Sequence, residues 1–245
     1  MSNKKYKTAM LLMGIIALLS ISSCVSIALR SIGVFSYEAR LVNLSHHEKE
    51  VLMIPMHHIG THEFYADVAH KIDSLQRLGY VGYVESVSIR DLDSIDADQY
   101  YRKSRKLMGV NTTKYYDTLT RKVMGKFTYR GRHNLRMQPS YAKLKVDTAN
   151  MVFADTQMHL IIRDWEQKHG KIELEDCDWE TALTDDYECK HLGSQNRSIF
   201  MRDYVQSMRN DYVVHLIDSL PHDKILLVYG SAHLSGFEKL LQEKK

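Results

Sequence analysis

The chain is poor in the residues that break or staple folds, with three prolines, three cysteines and twelve glycines in 245 positions. So little proline and glycine leaves no linker composition to mark a second domain. The cysteines lack the close paired spacing of a zinc ribbon. Neither a P-loop nor a GxGxxG occurs, so no phosphate cradle is written in the sequence. HExxH and HxxEH are also missing, and Gly230-Ser231 lacks the closing glycine of a GxSxG nucleophile elbow. No internal repeat is visible. A formal net charge of +3 is too small to imply nucleic acid by itself, and no nucleic-acid partner is expected. The remaining composition, 44% hydrophobic and 26% charged, belongs to a globular domain and not to a disordered chain.

The first residues stand apart. Lys4, Lys5 and Lys7 precede an apolar run from Ala9 to Leu19, followed by Ser20-Ile21-Ser22-Ser23-Cys24. Basic, apolar and small-residue regions in that order make an export signal, assigned to residues 1–23. Ile-Ser-Ser-Cys resembles the lipobox of bacterial lipoproteins, in which the cysteine (here Cys24) is lipidated and begins the mature chain. The alternative is a single retained transmembrane anchor, since no charge falls between Thr8 and Leu29 and about 20 apolar residues span a bilayer. Both readings place an exported, membrane-anchored domain in a bacterial cell envelope. Residues 24–50 read as a tether and connecting segment, and 51–245 as one domain. With Cys24 taken by lipid, Cys177 and Cys189 form an even pair in an oxidising compartment. A disulfide closing their acidic loop is expected there, with two unpaired thiols as the alternative.

Three apolar runs each end in a residue of catalytic type. Val51-Leu52-Met53-Ile54 leads into Pro55-Met56-His57-His58, Tyr80-Val81-Gly82-Tyr83-Val84 into Glu85, and Ile225-Leu226-Leu227-Val228-Tyr229 into Gly230-Ser231-Ala232-His233. Between the first two, Phe64, Val68, Ile72 and Leu75 recur at helical spacing and Gly79 stops the helix. A β-α-β unit with parallel strands follows. Further helices are expected over 155–168, with Met158, Ile161, Ile162 and Trp165 on one face, and from about Ser198 to Leu220, stopped by Pro221. The expected fold class is α/β: a mixed or mostly parallel central sheet flanked by helices, with a largely helical basic insert at about 100–150. Between Arg102 and Lys145 there are thirteen Lys or Arg and one acid, Asp117, whereas Arg163 to Glu188 holds ten Asp or Glu against three basic residues. The tyrosine-interleaved basic part could serve nucleic acid or anionic lipid. Packing of the two oppositely charged segments against each other is favoured.

If the three runs are neighbouring parallel strands, His57 or His58, Glu85 and His233 emerge at one carboxyl edge, where α/β sheets place their ligand crevices. Gly230 is expected to let the backbone turn sharply, so that His233 points back over the sheet edge. Two imidazoles and a carboxylate suit a divalent metal such as zinc, manganese or cobalt, with an open position for an attacking water. His62 and Glu63 read as the first turn of the following helix. Arg197 stands at a helix start, where a cation opposes the helix dipole. Pairing with Glu85 or stabilising an oxyanion would account for that placement.

Val228-Tyr229-Gly230-Ser231-Ala232-His233-Leu234-Ser235-Gly236 resembles the closing GxxHLxG element of the TraB/GumN/TIKI group, within the superfamily that also holds erythromycin esterase and the ChaN haem-binding lipoproteins. Arg197-Ser198-Ile199-Phe200-Met201 is similar to the group's Arg-Asn-x-x-Met helix start, with Ser198 in place of Asn, and Tyr83-Val84-Glu85 to its strand-end glutamate. The opening GxxH falls on Pro55-Met56-His57-His58, with proline in place of glycine. These elements bracket residues 51–241. The group includes metal-dependent proteases, proteins that act on or bind peptide pheromones, and haem binders. The resemblance thus implies a membrane-tethered, metal-dependent hydrolase of the peptidase type acting on a peptide or protein. Its metal ligands would be His58, His233 and Glu85, with His57 alternative to His58. Glu85, Arg197, His58 and His233 would be catalytic. A non-enzymatic binding lipoprotein for a peptide or haem is the other reading.

Overall fold

In a computed structural model, the structure describes residues 25–44, 46–111 and 114–243. The export signal and Cys24 lie outside the described residues. Among the described residues no helix is long and apolar enough to cross a membrane.

The segment expected as a tether carries structure of its own. It holds a helix over residues 25–31 (α1) and the strand Val42–Asn43 (β1), with Leu29 and Val34 buried. Then come β2 (Glu50–Met56), β3 (Ile59–Gly60), α2 (His62–Arg77), β4 (Val81–Val84) and α3 (Ser94–Met108). Four two-residue strands follow: β5 (Lys122–Val123), β6 (Phe127–Thr128), β7 (Arg136–Met137) and β8 (Val152–Phe153). The rest is α4 (Met158–His169), α5 (Asp176–Glu180), α6 (Ser194–Ile199), a π-helical stretch Phe200–Met208, α7 (Arg209–Ser219), β9 (Lys224–Gly230), a 3-10 turn Ser231–His233 and α8 (Leu234–Glu243).

The fold is α/β. A five-stranded sheet has the order β1-β2-β9-β4-β8, with β1 antiparallel and the other four parallel. β9 takes the centre because it is apolar on both faces, as a doubly covered parallel strand must be. Leu226 and Val228 pack with Phe64, Val68 and Ile72 of α2. Ile225, Leu227 and Tyr229 pack on the other side with Val213 and Ile217 of α7 and Phe237 and Leu241 of α8. α2 starts at His62, and Thr61 caps it by accepting the Phe64 N–H at 3.1 Å. The β2-α2-β4 unit is parallel as its sequence pattern implies, but β9 inserts between its two strands. Pro55 is tolerated in β2 because β1 pairs only with Leu52 and Met53 and has ended where the missing donor would point.

Two regions depart from the sequence reading. The basic insert is helical only to Met108. Gly109, in the left-handed conformation, ends α3, and the described residues from there to 157 form short strands and turns with no helical apolar period to bury. The long helix begins at Ser194 and is π-helical from Phe200 to Met208.

The basic and acidic segments meet. Lys103 pairs with Glu166 at 2.7 Å, Lys106 with Asp178 at 2.6 Å, and Lys122 with Asp186 at 2.8 Å. Arg105 is fully buried and donates to the carbonyls of Ala182 (2.6 Å), Thr181 (2.8 Å) and Asp178 (3.1 Å). The same loop is closed by the Cys177–Cys189 disulfide, with Cα atoms 5.9 Å apart. Arg105→Ala removes a buried guanidinium and its three donated hydrogen bonds, although Arg102 still donates to the Asp178 and Thr181 carbonyls, and is expected to cost about 1.5–3 kcal/mol in urea unfolding. Lys122→Ala removes a solvated pair and should leave the unfolding midpoint nearly unchanged. Equal losses would contradict this assignment of weight.

Candidate functional site

The four parallel strands deliver their next residues to one edge of the sheet. Met56 lies opposite Gly230, and the Glu85 N–H donates to the Val228 carbonyl, so His57 and His58, Glu85 and the Ser231–His233 turn leave side by side. Asp155, two residues beyond β8, joins them.

A buried guanidinium organises this edge. Arg209 donates from Nε and Nη2 to the two carboxylate oxygens of Asp155 at 2.8 and 2.7 Å, and from Nη2 to Glu85 Oε1 at 2.5 Å. Asp155 also accepts the Ser86 N–H at 3.1 Å, and Glu85 Oε2 accepts the Gly230 N–H at 2.7 Å. Asp155 and Arg209 are 1% and 4% exposed, so their charges are desolvated and depend on this pairing. Burial pushes the Asp155 carboxyl above its ordinary value despite the guanidinium. Burial also acts to raise Glu85, but Arg209 and the neighbouring histidines outweigh it and hold that carboxyl below its ordinary value. Arg209 itself stays charged: burial opposes the charge, and Tyr229, Asp155 and Glu85 overcome that opposition.

His233 is buried, and its Nδ1 lies 2.6 Å from Oδ1 of the Asn210 side chain. That partner accepts, so Nδ1 carries the proton and Nε2 turns a lone pair toward Glu85 Oε1, 3.9 Å away. Burial, then the Arg209 charge, lowers the His233 pKa to about 4, with Glu85 opposing. The two glycines of Gly230-Ser231-Ala232-His233-Leu234-Ser235-Gly236 make room for these partners. A Cβ on Gly230 would come within 2.8 Å of Glu85 Oε2, and one on Gly236 within 2.0 Å of Asn210 Nδ2. Gly230 has φ −54°, open to any residue, so space and not the expected sharp turn requires glycine here.

His58 is exposed, stacks on Tyr115 at 4.0 Å between ring centroids, and lies within electrostatic reach of Glu85 and Arg209. Tyr141 donates its hydroxyl to the Glu85 carbonyl. The insert therefore supplies two aromatic walls to the site. His57 stands aside from Glu85: its Nδ1 is 3.2 Å from Ser231 Oγ and its carbonyl accepts the Tyr65 hydroxyl at 2.7 Å. The structure thus brings His58, His233 and Glu85 together and seats His57 against Ser231.

Arg197 does not pair with Glu85. It sits on α6, which buries none of its residues, and Arg209 takes the expected contact one π-helical stretch later. Arg209, Asn210 and Asp155 are the residues that sequence reasoning missed. π-Helical turns cluster at functional sites, but nothing in the apolar spacing announces this one.

As a donor set for a divalent metal, the cluster does not fit as it stands. Both Glu85 oxygens are taken by Arg209 and the Gly230 N–H, and a permanent cation sits beside them. Among the described residues no group of three or more His, Cys, Asp or Glu side chains is disposed to hold a metal. Comparison with protein-family models, curated proteins and solved structures gives no match.

Arg209→Met would leave Glu85 and Asp155 buried without their cation and is expected to cost about 3–5 kcal/mol in chemical unfolding. A loss under about 1 kcal/mol would contradict the network. His233 adds a pH dependence. Its native pKa of about 4 lies below the ordinary 6.5, so the unfolded chain binds this proton first as pH falls. The contribution is complete above pH 6.5 and is lost toward pH 4, on the order of 3 kcal/mol. His233→Gln should flatten the stability profile across that window; an unchanged slope would contradict the assignment.

Proposed function

We propose that this edge is the active site of a hydrolase, held at the membrane of a bacterial cell envelope, that cleaves peptide or related acyl bonds. The observation that carries the reading is the apposition of a neutral imidazole lone pair and a carboxylate across 3.9 Å, each fixed from behind by its own partner. Two acceptors so placed share one donor, and a water bridging them can give a proton to His233 Nε2 as it attacks a carbonyl carbon. Glu85 orients that water and favours the imidazolium that forms. Asn210 fixes the tautomer, and Arg209 keeps Glu85 ionised. His58 and the half-buried Tyr115 stacked on it form the wall on which a substrate would rest. The resemblance to the TraB/GumN/TIKI elements supports the same reading. A metal-dependent form of the reaction requires Glu85 to exchange Arg209 for the ion.

The test uses the full chain in detergent with peptide and acyl-ester substrates. Glu85→Gln and His233→Ala are expected to lower kcat by about 10²-fold or more with secondary structure intact. Wild-type activity should persist after chelation and fall with decreasing pH near 4. Activity lost to a chelator and restored by manganese, cobalt or zinc would assign the metal-dependent form instead. Absence of turnover, with peptide or haem bound through His58 and His233, would establish a binding lipoprotein and overturn the enzyme reading.

A further inference from the structure

The His57–Ser231 contact plays no part in the chemistry above, yet its geometry is that of a nucleophile beside its base. Because β2 and β9 are adjacent and parallel with Met56 opposite Gly230, the residues that follow, His57 and Ser231, emerge next to each other. Ser231 Oγ and His57 Nδ1 are 3.2 Å apart. The imidazole is held in place. Its own carbonyl accepts the Tyr65 hydroxyl, its ring packs on Phe64 at 5.4 Å, and its Nε2 lies so close to Gly33 that a Cβ there would be 3.2 Å away. Ser231 is half-buried, is followed by the small, exposed Ala232, and leaves the sheet at the same edge as His58. It belongs to the 3-10 turn that also carries His233. No GxSxG elbow is needed, because two neighbouring strand ends already bring alcohol and imidazole together.

We propose that Ser231 is the nucleophile of a covalent mechanism, with His57 as the base that receives its proton; this rests on the hydrolase reading. Oγ adds to the substrate carbonyl carbon while its proton passes to His57 Nδ1. The tetrahedral species collapses, the C–N or C–O bond breaks, and the leaving amine or alcohol takes that proton from His57. The product is an ester of Ser231. The water held by His233 and Glu85 then adds to the ester carbonyl and gives a proton to His233. The C–Oγ bond breaks, the carboxylic acid departs, and the proton returns to Ser231. Two imidazoles thereby divide the work, His57 in acylation and His233 in deacylation.

The test treats the full-length protein in detergent with a fluorophosphonate and, separately, with p-nitrophenyl acetate, and maps adducts by peptide mass spectrometry. The expected result is one phosphonate per chain on Ser231, none in Ser231→Ala, and labelling slowed at least tenfold in His57→Gln. His233→Ala should accumulate acetyl-Ser231 with a burst of one p-nitrophenol per site. Mapping on the wild type keeps the test decisive if a variant fails to fold. Ester turnover with no adduct on Ser231, and undiminished in Ser231→Ala, would overturn the nucleophile while leaving direct water attack standing. Adducts on another residue would also overturn it. No turnover and no adduct would remove both readings.

Discussion

Two carboxylates and one guanidinium, all withdrawn from water, meet where the sheet ends, and this contact fixes the geometry around it. Arg209 comes from the first turn of α7, Asp155 from beyond β8, and Glu85 from beyond β4, while the Gly230 amide of β9 closes the fourth side. Desolvating such charges costs several kcal/mol each, so the arrangement is stable only when every partner is present. Its completeness ties the helix layer to three strands at once. It also explains the glycines of the closing element: one leaves space for Glu85, the other for the asparagine behind His233.

The electrostatic result is an edge with one carboxylate kept ionised and two imidazoles kept neutral. Burial dominates for both histidines, and cations add to it, Arg209 at His233 and Arg40 at His57. A neutral imidazole accepts protons, and here each faces a different partner, His57 a serine hydroxyl and His233 a carboxylate. The insert contributes Tyr115 and Tyr141 as walls and pairs Lys103, Lys106 and Lys122 with the acidic segment. That division separates substrate contact from domain cohesion within a single stretch of chain.

Much of this edge was legible because buried parallel strands are continuous apolar runs. The runs ending at His57-His58, Glu85 and His233 needed only their strand character to place those residues together. The missed residues had no such signal. Asp155 follows a strand of two residues, too short for any period, and reads as the start of the next helix. Arg209 and Asn210 follow a π-helical stretch, whose wider turns rotate the helix out of the 3.6-residue phase by which faces are assigned. Arg197 attracted attention by its position near a helix start, but it is exposed on a helix that fully buries none of its residues. Gly230 was legible as a required glycine for the wrong reason, since the demand comes from Glu85 across the strand and not from its own backbone angle.

The claim on which the rest hangs is that Glu85 is held at the sheet edge by Arg209. A double-mutant cycle with Glu85→Gln and Arg209→Met, read as unfolding free energy at neutral pH and low salt, measures that coupling directly. The account predicts an interaction energy of about 2 kcal/mol or more, as found for close charge pairs removed from water. A coupling below about 0.5 kcal/mol, with the two losses simply adding, would contradict it.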